Sequence, residues 1–166
     1  MYKRQVVLKF GGTSVGTIEK IKKVTDIIIE HKKKKNKVIV VSSAMSGVTN
    51  DLIKKSKQIS NNFIDSEYDV LVSSGEQVAC SLIAGRLNHK GFKSRSWLGW
   101  QVPIFTNGPY TNSRIQQVNK NKLLRFLKEG GIPVIAGFQG VNMNERVTTI
   151  GCLLYTSDAA DEKRWG

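Results

Sequence analysis

The chain alternates short apolar runs with longer stretches in which apolar residues recur at helical spacing. "QVVLKF" at 5–10, "VIVV" at 38–41 and "IPVIAGF" at 132–138 predict buried strands. The stretches 17–34 and 67–90 predict helices, the first capped by a threonine and ending in lysines. Because strand, loop and helix follow one another twice near the start, the pattern indicates an α/β fold with a parallel sheet.

Two further helices are predicted over residues 50–59 and 114–129, and the segment 94–108 is predicted to contain strand and loop. On the helix at 114–129, the apolar residues expected to share one buried face are Ile115, Val118, Leu123 and Leu127. On the helix at 67–90, the residues expected to lie inside are Leu71, Val78, Leu82 and Ile83.

The composition is that of an ordinary globular domain: 166 residues, of which 40% are hydrophobic. No apolar run approaches the roughly 20 residues of a membrane-spanning helix. The apolar stretch at the N-terminus is too short for the core of a signal peptide. We therefore expect a cytoplasmic protein without a membrane partner, in which Cys80 and Cys152 are reduced thiols.

The net charge of +13 raises the alternative of a basic nucleic-acid-binding module. The one dense basic block, "KKKKNK" at 32–37, contains no aromatic residue on which a base could stack. No zinc-finger or basic-zipper spacing is present. We therefore favour a solvated helix end at this block and expect no nucleic-acid partner.

"KFGGTSVG" at 9–16 follows the first predicted strand and contains residue types that bind phosphate. It matches neither the Walker loop nor G-x-G-x-x-G. Gly11 and Gly12 allow close approach of the backbone, and Lys9 places an ammonium at the strand end, where ligands bind in open α/β sheets. The alternative is a tight turn with Lys9 in solvent.

Two other segments are candidates for binding. "SSAMSGVTND" follows the second strand and offers hydroxyl groups, but Thr49 or Asn50 as a helix cap, with Gly47 as a turn, also explains it. Glu76 lies in an apolar helical stretch, where a carboxylate needs a partner or has a function, such as pairing with a substrate ammonium. The alternative is a first-turn glutamate stabilised by the helix dipole.

Four motifs together resemble aspartate kinases of the amino-acid kinase superfamily in order and spacing: "VVLKFGGTSV", "VIVVSSAMSGVTN", "LVSSGEQVACSLIAGRL" and "IPVIAGFQG" with "RVTTIG". The resemblance implies a three-layer α/β/α sandwich with a mostly parallel central sheet. It implies transfer of the γ-phosphate of ATP to the side-chain carboxylate of L-aspartate, giving 4-phospho-L-aspartate for lysine, threonine and methionine biosynthesis. It further implies Mg²⁺ with the nucleotide and a homo-oligomeric parent enzyme. A superfamily member with a different acceptor is the alternative.

The same resemblance implies individual roles. The residues implied to hold the ATP phosphates are Lys9, Phe10, Gly11 and Gly12, with Lys9 also catalytic. The residues implied to bind aspartate are Ser43, Thr49 and Glu76. Protein ligands to a metal are not expected.

The resemblance stops at Gly151, where aspartate kinases continue with "RGGSD" and this chain continues with "CLLYTSDAADEKRWG". That string is similar to a translated transposase-type sequencing adaptor. We expect residues 1–151 to be the N-terminal part of a catalytic domain and residues 152–166 to be a non-native tail. On this view the 166-residue chain is inactive alone. A divergent natural C-terminus is the alternative.

Overall fold

The structure is a computed structural model that describes residues 4–151, so the expectations for Cys152 and for the tail at 152–166 lie outside the described residues. The helices are α1 (Ile18–Lys33), α2 (Val48–Ile59), α3 (Asp65–His89) and α4 (Asn121–Lys128). The strands are β1 (Gln5–Phe10), β2 (Lys37–Ser42), β3 (Ser94–Trp97), β4 (Ile104–Asn107), β5 (Arg114–Val118), β6 (Ile132–Ala136), β7 (Gln139–Val141) and β8 (Val147–Thr149).

The main sheet is wholly parallel, in the order β1-β2-β6-β3, and helices cover both of its faces. Alternate residues of β2 show the two layers. Val38 and Val40 pack with α1 and α3, whereas Ile39 and Val41 pack on the other side with residues of α4 such as Leu123. This arrangement confirms the predicted α/β/α layering with a mostly parallel sheet.

Strand β1 has the predicted bounds, but the prediction that it is buried is wrong. β1 is the edge of the sheet, and its residues alternate between exposed and half-buried, with Val7 63% exposed. An edge strand has a neighbour on one side only, so an apolar run there does not ensure burial. Lys9 is one of the exposed residues of this strand.

A second sheet, in the order β5-β4-β7-β8, was not predicted. It overturns the first part of the helix expected over 114–129. Residues 114–118 form β5, which pairs antiparallel with β4, and helix α4 begins only at Asn121. Leu123 and Leu127 are buried as expected, but Ile115 and Val118 are 48% and 43% exposed. Strand pairing with β4 here outweighs the local helical spacing.

The helix ends follow the sequence in part. Thr17 caps α1 as predicted, since its hydroxyl accepts a hydrogen bond from the Lys20 amide at 3.3 Å. For α2, however, neither Thr49 nor Asn50 is the cap. Both lie inside the first turn, and the cap position belongs to Gly47, whose φ of +85° is left-handed.

The long helix α3 packs against α1, α2 and both sheets, and it was predicted with four residues inside. Ile83 is fully buried, but Val78 and Leu82 are 51% and 38% exposed, and Leu71 is half-buried. The reason is that α3 is apolar on several faces, so helical spacing alone does not select the buried one. Cys80 is buried and forms no disulfide within the described residues. No helix in residues 4–151 has the length and apolar character needed to cross a membrane.

Candidate functional site

A cavity of about 540 Å³ lies at the carboxyl ends of β1, β2 and β6. This is the edge of a parallel sheet at which ligands bind in open α/β folds. Five of the seven predicted site residues line it: Lys9, Gly12, Ser43, Thr49 and Glu76. Gly11 and Phe10 are not among the lining residues, and Phe10 packs against the core between the main sheet, α1 and α3.

The two glycines of the turn between β1 and α1 have different surroundings. A Cβ on Gly12 would lie 3.1 Å from the Ala44 carbonyl oxygen, so this glycine lets the turn pack against the loop after β2. A Cβ on Gly11 would meet no described atom within 4 Å. The Gly11 carbonyl accepts hydrogen bonds from the Ser14 and Val15 amides at 3.0 and 3.3 Å, which closes the turn. The space beside Gly11, next to the exposed Lys9, is open to a ligand.

The loop between β2 and α2 is held from both sides. The Ser43 amide donates to the Phe10 carbonyl at 3.0 Å, and the Gly137 amide donates to the Ser42 carbonyl at 2.9 Å. These bonds continue the β1–β2 and β2–β6 pairing past the strand ends. Ser43 therefore faces the cavity from a loop fixed to two neighbouring strand ends, and Thr49 faces it from the first turn of α2, which follows that loop.

Glu76 reaches the cavity from the middle of α3, because Gly75 lets the helix approach the same loop closely. A Cβ on Gly75 would lie only 2.9 Å from the Ala44 Cβ. Glu76 is 3% exposed, and its Oε1 accepts a hydrogen bond from the Ala44 amide at 3.2 Å. Its Oε2 has no hydrogen-bond partner among the described residues. The first-turn alternative is wrong, since the acidic residues of that turn are Asp65 and Glu67.

The environment of Glu76 favours its neutral form when no partner is present. Burial raises the pKa of Glu76 to about 7, although backbone N–H groups, including that of Ala44, oppose the shift. One turn further along α3, burial raises the pKa of the Cys80 thiol to about 12, with the charge of Glu76 adding to the effect. Cys80 is therefore a neutral core residue and not a nucleophile.

Two buried polar residues were missed from the sequence: Gln139, which lines the cavity, and a carboxylate of α3 that holds β8 in place. Gln139 is 1% exposed; its amide donates to the Ser73 carbonyl at 3.0 Å and accepts from the Gly99 amide at 3.2 Å. It joins α3 to the start of the second sheet. A lone glutamine after a glycine-containing loop gives no signal that would have identified it.

Asp69 is the other, and it is fully buried. Its carboxylate accepts hydrogen bonds from the Thr149 amide at 2.8 Å, the Thr149 hydroxyl at 2.6 Å and the Thr111 amide at 3.0 Å. Asp69 thereby fixes the end of β8, and the next residue, Ile150, lines the cavity. The signal that singled out Glu76, an acidic residue in an apolar helical stretch, would also have found Asp69 two turns earlier on α3.

Ser46 and Asn50 are further polar residues of the cavity lining, and most of the remaining lining is apolar. The apolar residues include Val41, Val102, Ile104, Ile115, Val118, Leu123, Ile135 and Ile150. Residues 4–151 contain no group of three or more His, Cys, Asp or Glu side chains that could hold a metal ion. The arrangement combines one cation, three hydroxyls (Ser43, Ser46 and Thr49) and one buried carboxylate at the edge of a parallel sheet.

Residues 4–160 match the model of the amino acid kinase family, and the chain belongs to that family. Among curated proteins the similar relatives are aspartokinases. That of Geobacillus stearothermophilus is 46% identical over 146 residues, which are 88% of this chain and 36% of the relative. That of Rickettsia prowazekii is 46% identical over 149 residues, which are 88% of this chain and 33% of the relative. The chain thus spans about a third of the length of these relatives.

Solved structures agree with this assignment. The aspartate kinase of Synechocystis is 36% identical with a TM-score of 0.71, and the match covers 88% of this chain and 24% of that one. Aspartokinase III of Escherichia coli, in complex with aspartate and ADP, matches with a TM-score of 0.75 at 21% identity, covering 90% of this chain and 44% of that one. The second match supports the fold alone.

Proposed function

We propose that residues 1–151 form the N-terminal part of an aspartate kinase catalytic domain. The enzyme would transfer the γ-phosphate of ATP to the side-chain carboxylate of L-aspartate, giving 4-phospho-L-aspartate. The observation that carries the proposal is Glu76: a 3% exposed carboxylate with an unpartnered oxygen, in the same cavity as Lys9, Ser43 and Thr49. The aspartokinase relatives and the aspartate and ADP bound by the Escherichia coli structure support this substrate pair.

Each cavity residue has a role in this proposal. The Glu76 carboxylate pairs with the substrate α-ammonium, which supplies the missing partner of Oε2 and favours the ionised carboxylate. The Ser43 hydroxyl, in the loop after β2, and the Thr49 hydroxyl, in the first turn of α2, orient the substrate. A substrate carboxylate oxygen then attacks the γ-phosphorus, and the bond from phosphorus to the β,γ-bridging oxygen breaks. Lys9 offsets the negative charge on the transferring group.

The nucleotide phosphates are proposed to lie over the turn after β1. The ammonium of Lys9 and the open space beside Gly11 fit them, and Gly12 and Phe10 hold the turn in place. Mg²⁺ accompanies the nucleotide and neutralises phosphate charge. The phosphate oxygens of the nucleotide would themselves supply ligands for this ion. A homo-oligomeric, cytoplasmic parent enzyme is part of the same proposal.

A hybrid enzyme tests the function. Residues 1–151 replace the matching part of the Geobacillus stearothermophilus aspartokinase, to which the chain is 46% identical. We expect ADP formation that depends on L-aspartate and not on other carboxylic acids. In this hybrid, Glu76→Gln should raise the aspartate KM roughly ten- to a hundredfold, since a charged hydrogen bond contributes about 1.5–3 kcal/mol.

The matched control is Glu67→Gln, which alters an exposed carboxylate of the same helix, paired with Arg146 outside the cavity. It should leave both KM values unchanged, and Glu76→Gln should leave the ATP KM unchanged. A hybrid that folds yet phosphorylates a different acceptor, or an aspartate KM indifferent to Glu76→Gln, contradicts the proposal.

A further inference from the structure

A second cavity, here called the outer groove, has a volume of about 620 Å³ and shares no lining residue with the cavity described above. Its walls come from β3 with the turn that follows and from α4. Its lining includes Arg95, Trp97, Trp100, Gln101, Lys122 and Arg125. Its volume lies within the range of small-ligand sites.

The groove is strongly cationic. Arg95 and Lys122 have no carboxylate within ion-pair distance among the described residues. The one carboxylate of the lining, Glu129, is already held by the Lys93 ammonium at 2.6 Å. The hydrogen bond and charge of Lys93, and to a lesser extent the charge of Arg125, lower the pKa of Glu129. The three cations of the lining still outnumber its single carboxylate, which favours an anionic ligand.

Part of this cationic surface is fixed in place. The Arg95 guanidinium lies 4.2 Å from the ring centroid of Trp97, which is 4% exposed. Trp97 in turn contacts Phe126 edge to face, with ring centroids 5.9 Å apart. A guanidinium stacked on a buried ring loses less freedom on binding, and its N–H groups remain available at the rim of its plane. That geometry suits two oxygens of a phosphate.

An aromatic surface lies beside the cations. Trp100 is 51% exposed although it lines the groove, so the core does not account for its ring. Gln101 has a fixed orientation, because its side-chain oxygen accepts a hydrogen bond from the Leu98 amide at 3.0 Å. Its NH₂ group is left as a donor. A simple inorganic anion would use only the cations, whereas a ligand with a phosphate and a planar ring would use both surfaces.

We propose that the outer groove binds a ligand of the mononucleotide class, with its ring stacked on Trp100 and its phosphate held by Arg95, Lys122 and Arg125. This site is separate from the proposed catalytic cavity and does not depend on the proposed function. The basic block at 32–37 has no aromatic neighbour in sequence, whereas here basic and aromatic side chains from α4, β3 and the turn after β3 line one groove.

The test is a titration of the whole 166-residue chain with AMP, followed by the backbone amide and indole N–H signals in two-dimensional NMR. The expected result is a saturable shift of the Trp100 indole signal together with the amides of Arg95 and Arg125. Trp100→Ala and Arg125→Ala should each weaken binding roughly tenfold, the scale of one stacked base or one charged contact. Inorganic phosphate should bind at least about tenfold more weakly than AMP.

Two controls separate this site from general charge and from the catalytic cavity. Lys54→Ala removes an exposed lysine of α2 outside the groove and should not change AMP affinity. Lys9→Ala should leave the Trp100 shift intact; its loss would place the ligand in the catalytic cavity and overturn the proposal. Three other results would also overturn the proposal. They are chemical shifts that grow linearly without saturation, equal affinity for phosphate and AMP, and unchanged AMP affinity in a folded Trp100→Ala variant.

Discussion

Replacing Glu76 by glutamine should stabilise the ligand-free chain at high pH. The pKa of Glu76 is about 7 in the folded chain and returns to its ordinary value of 4.5 on unfolding. Below pH 4.5 the Glu76 carboxyl is protonated in both the folded and the unfolded chain, so the raised pKa does not lower the free energy of unfolding. As the pH rises from 4.5 to 7, the unfolded state releases its proton first, so stability falls over this window.

The magnitude follows from the size of the shift. A difference of roughly 2.5 pKa units corresponds to about 3 kcal/mol of lost stability above pH 7. Glutamine keeps the shape and the acceptor for the Ala44 amide, but its NH₂ group is unpaired, which costs about 1 kcal/mol. The net gain is about 2 kcal/mol at pH 8, or about 4–8 °C in Tm for a chain of this size.

The assay is thermal and urea unfolding of both proteins at several values between pH 5 and pH 8, with Glu67→Gln as the control. We expect Glu76→Gln to be the more stable protein at pH 8 and the slightly less stable one at pH 5, with the crossover inside the titration window. The control should show no such crossover, since Glu67 is exposed and paired with Arg146 at the surface. A pH-independent difference, or a loss of stability at pH 8, would refute the assignment of a buried carboxylate that lacks a partner.

Two further predictions concern Lys9, which lines the cavity, and Asp69, which fixes the end of β8. In the hybrid enzyme, Lys9→Ala should lower kcat roughly 10²- to 10³-fold, the scale for losing one preorganised electrostatic contact. The Tm should change little because Lys9 is exposed. Near-normal turnover would exclude a role of Lys9 at the transferring phosphate. Asp69→Ala should cost about 3 kcal/mol or more in urea unfolding, because the Thr149 and Thr111 donors lose their acceptor. The exposed Asp65→Ala in the same helix should cost far less, and equal losses would mean that Asp69 anchors nothing.

Local sequence was sufficient where neighbouring residues decide the structure. The apolar runs at β1, β2 and β6 have the predicted bounds to within about two residues, since a run of β-branched residues bounded by polar segments favours a strand in most contexts. Thr17 caps α1 because capping depends only on atoms three residues apart. The four motifs also predicted the family and five residues of the cavity lining.

Tertiary structure decided what depends on distant partners. Residues 114–118 have helical spacing yet form β5, because β4 offers backbone hydrogen bonds that the local sequence does not encode. The unpartnered oxygen of Glu76 arises only when Gly75 brings α3 against the loop after β2, 32 residues away at Ala44. The roles of Asp69 and Gln139 likewise depend on acceptors and donors far along the chain. A residue's type sets its possible chemistry, but burial and partners, which fix its charge state and role, come from the packing of separate segments.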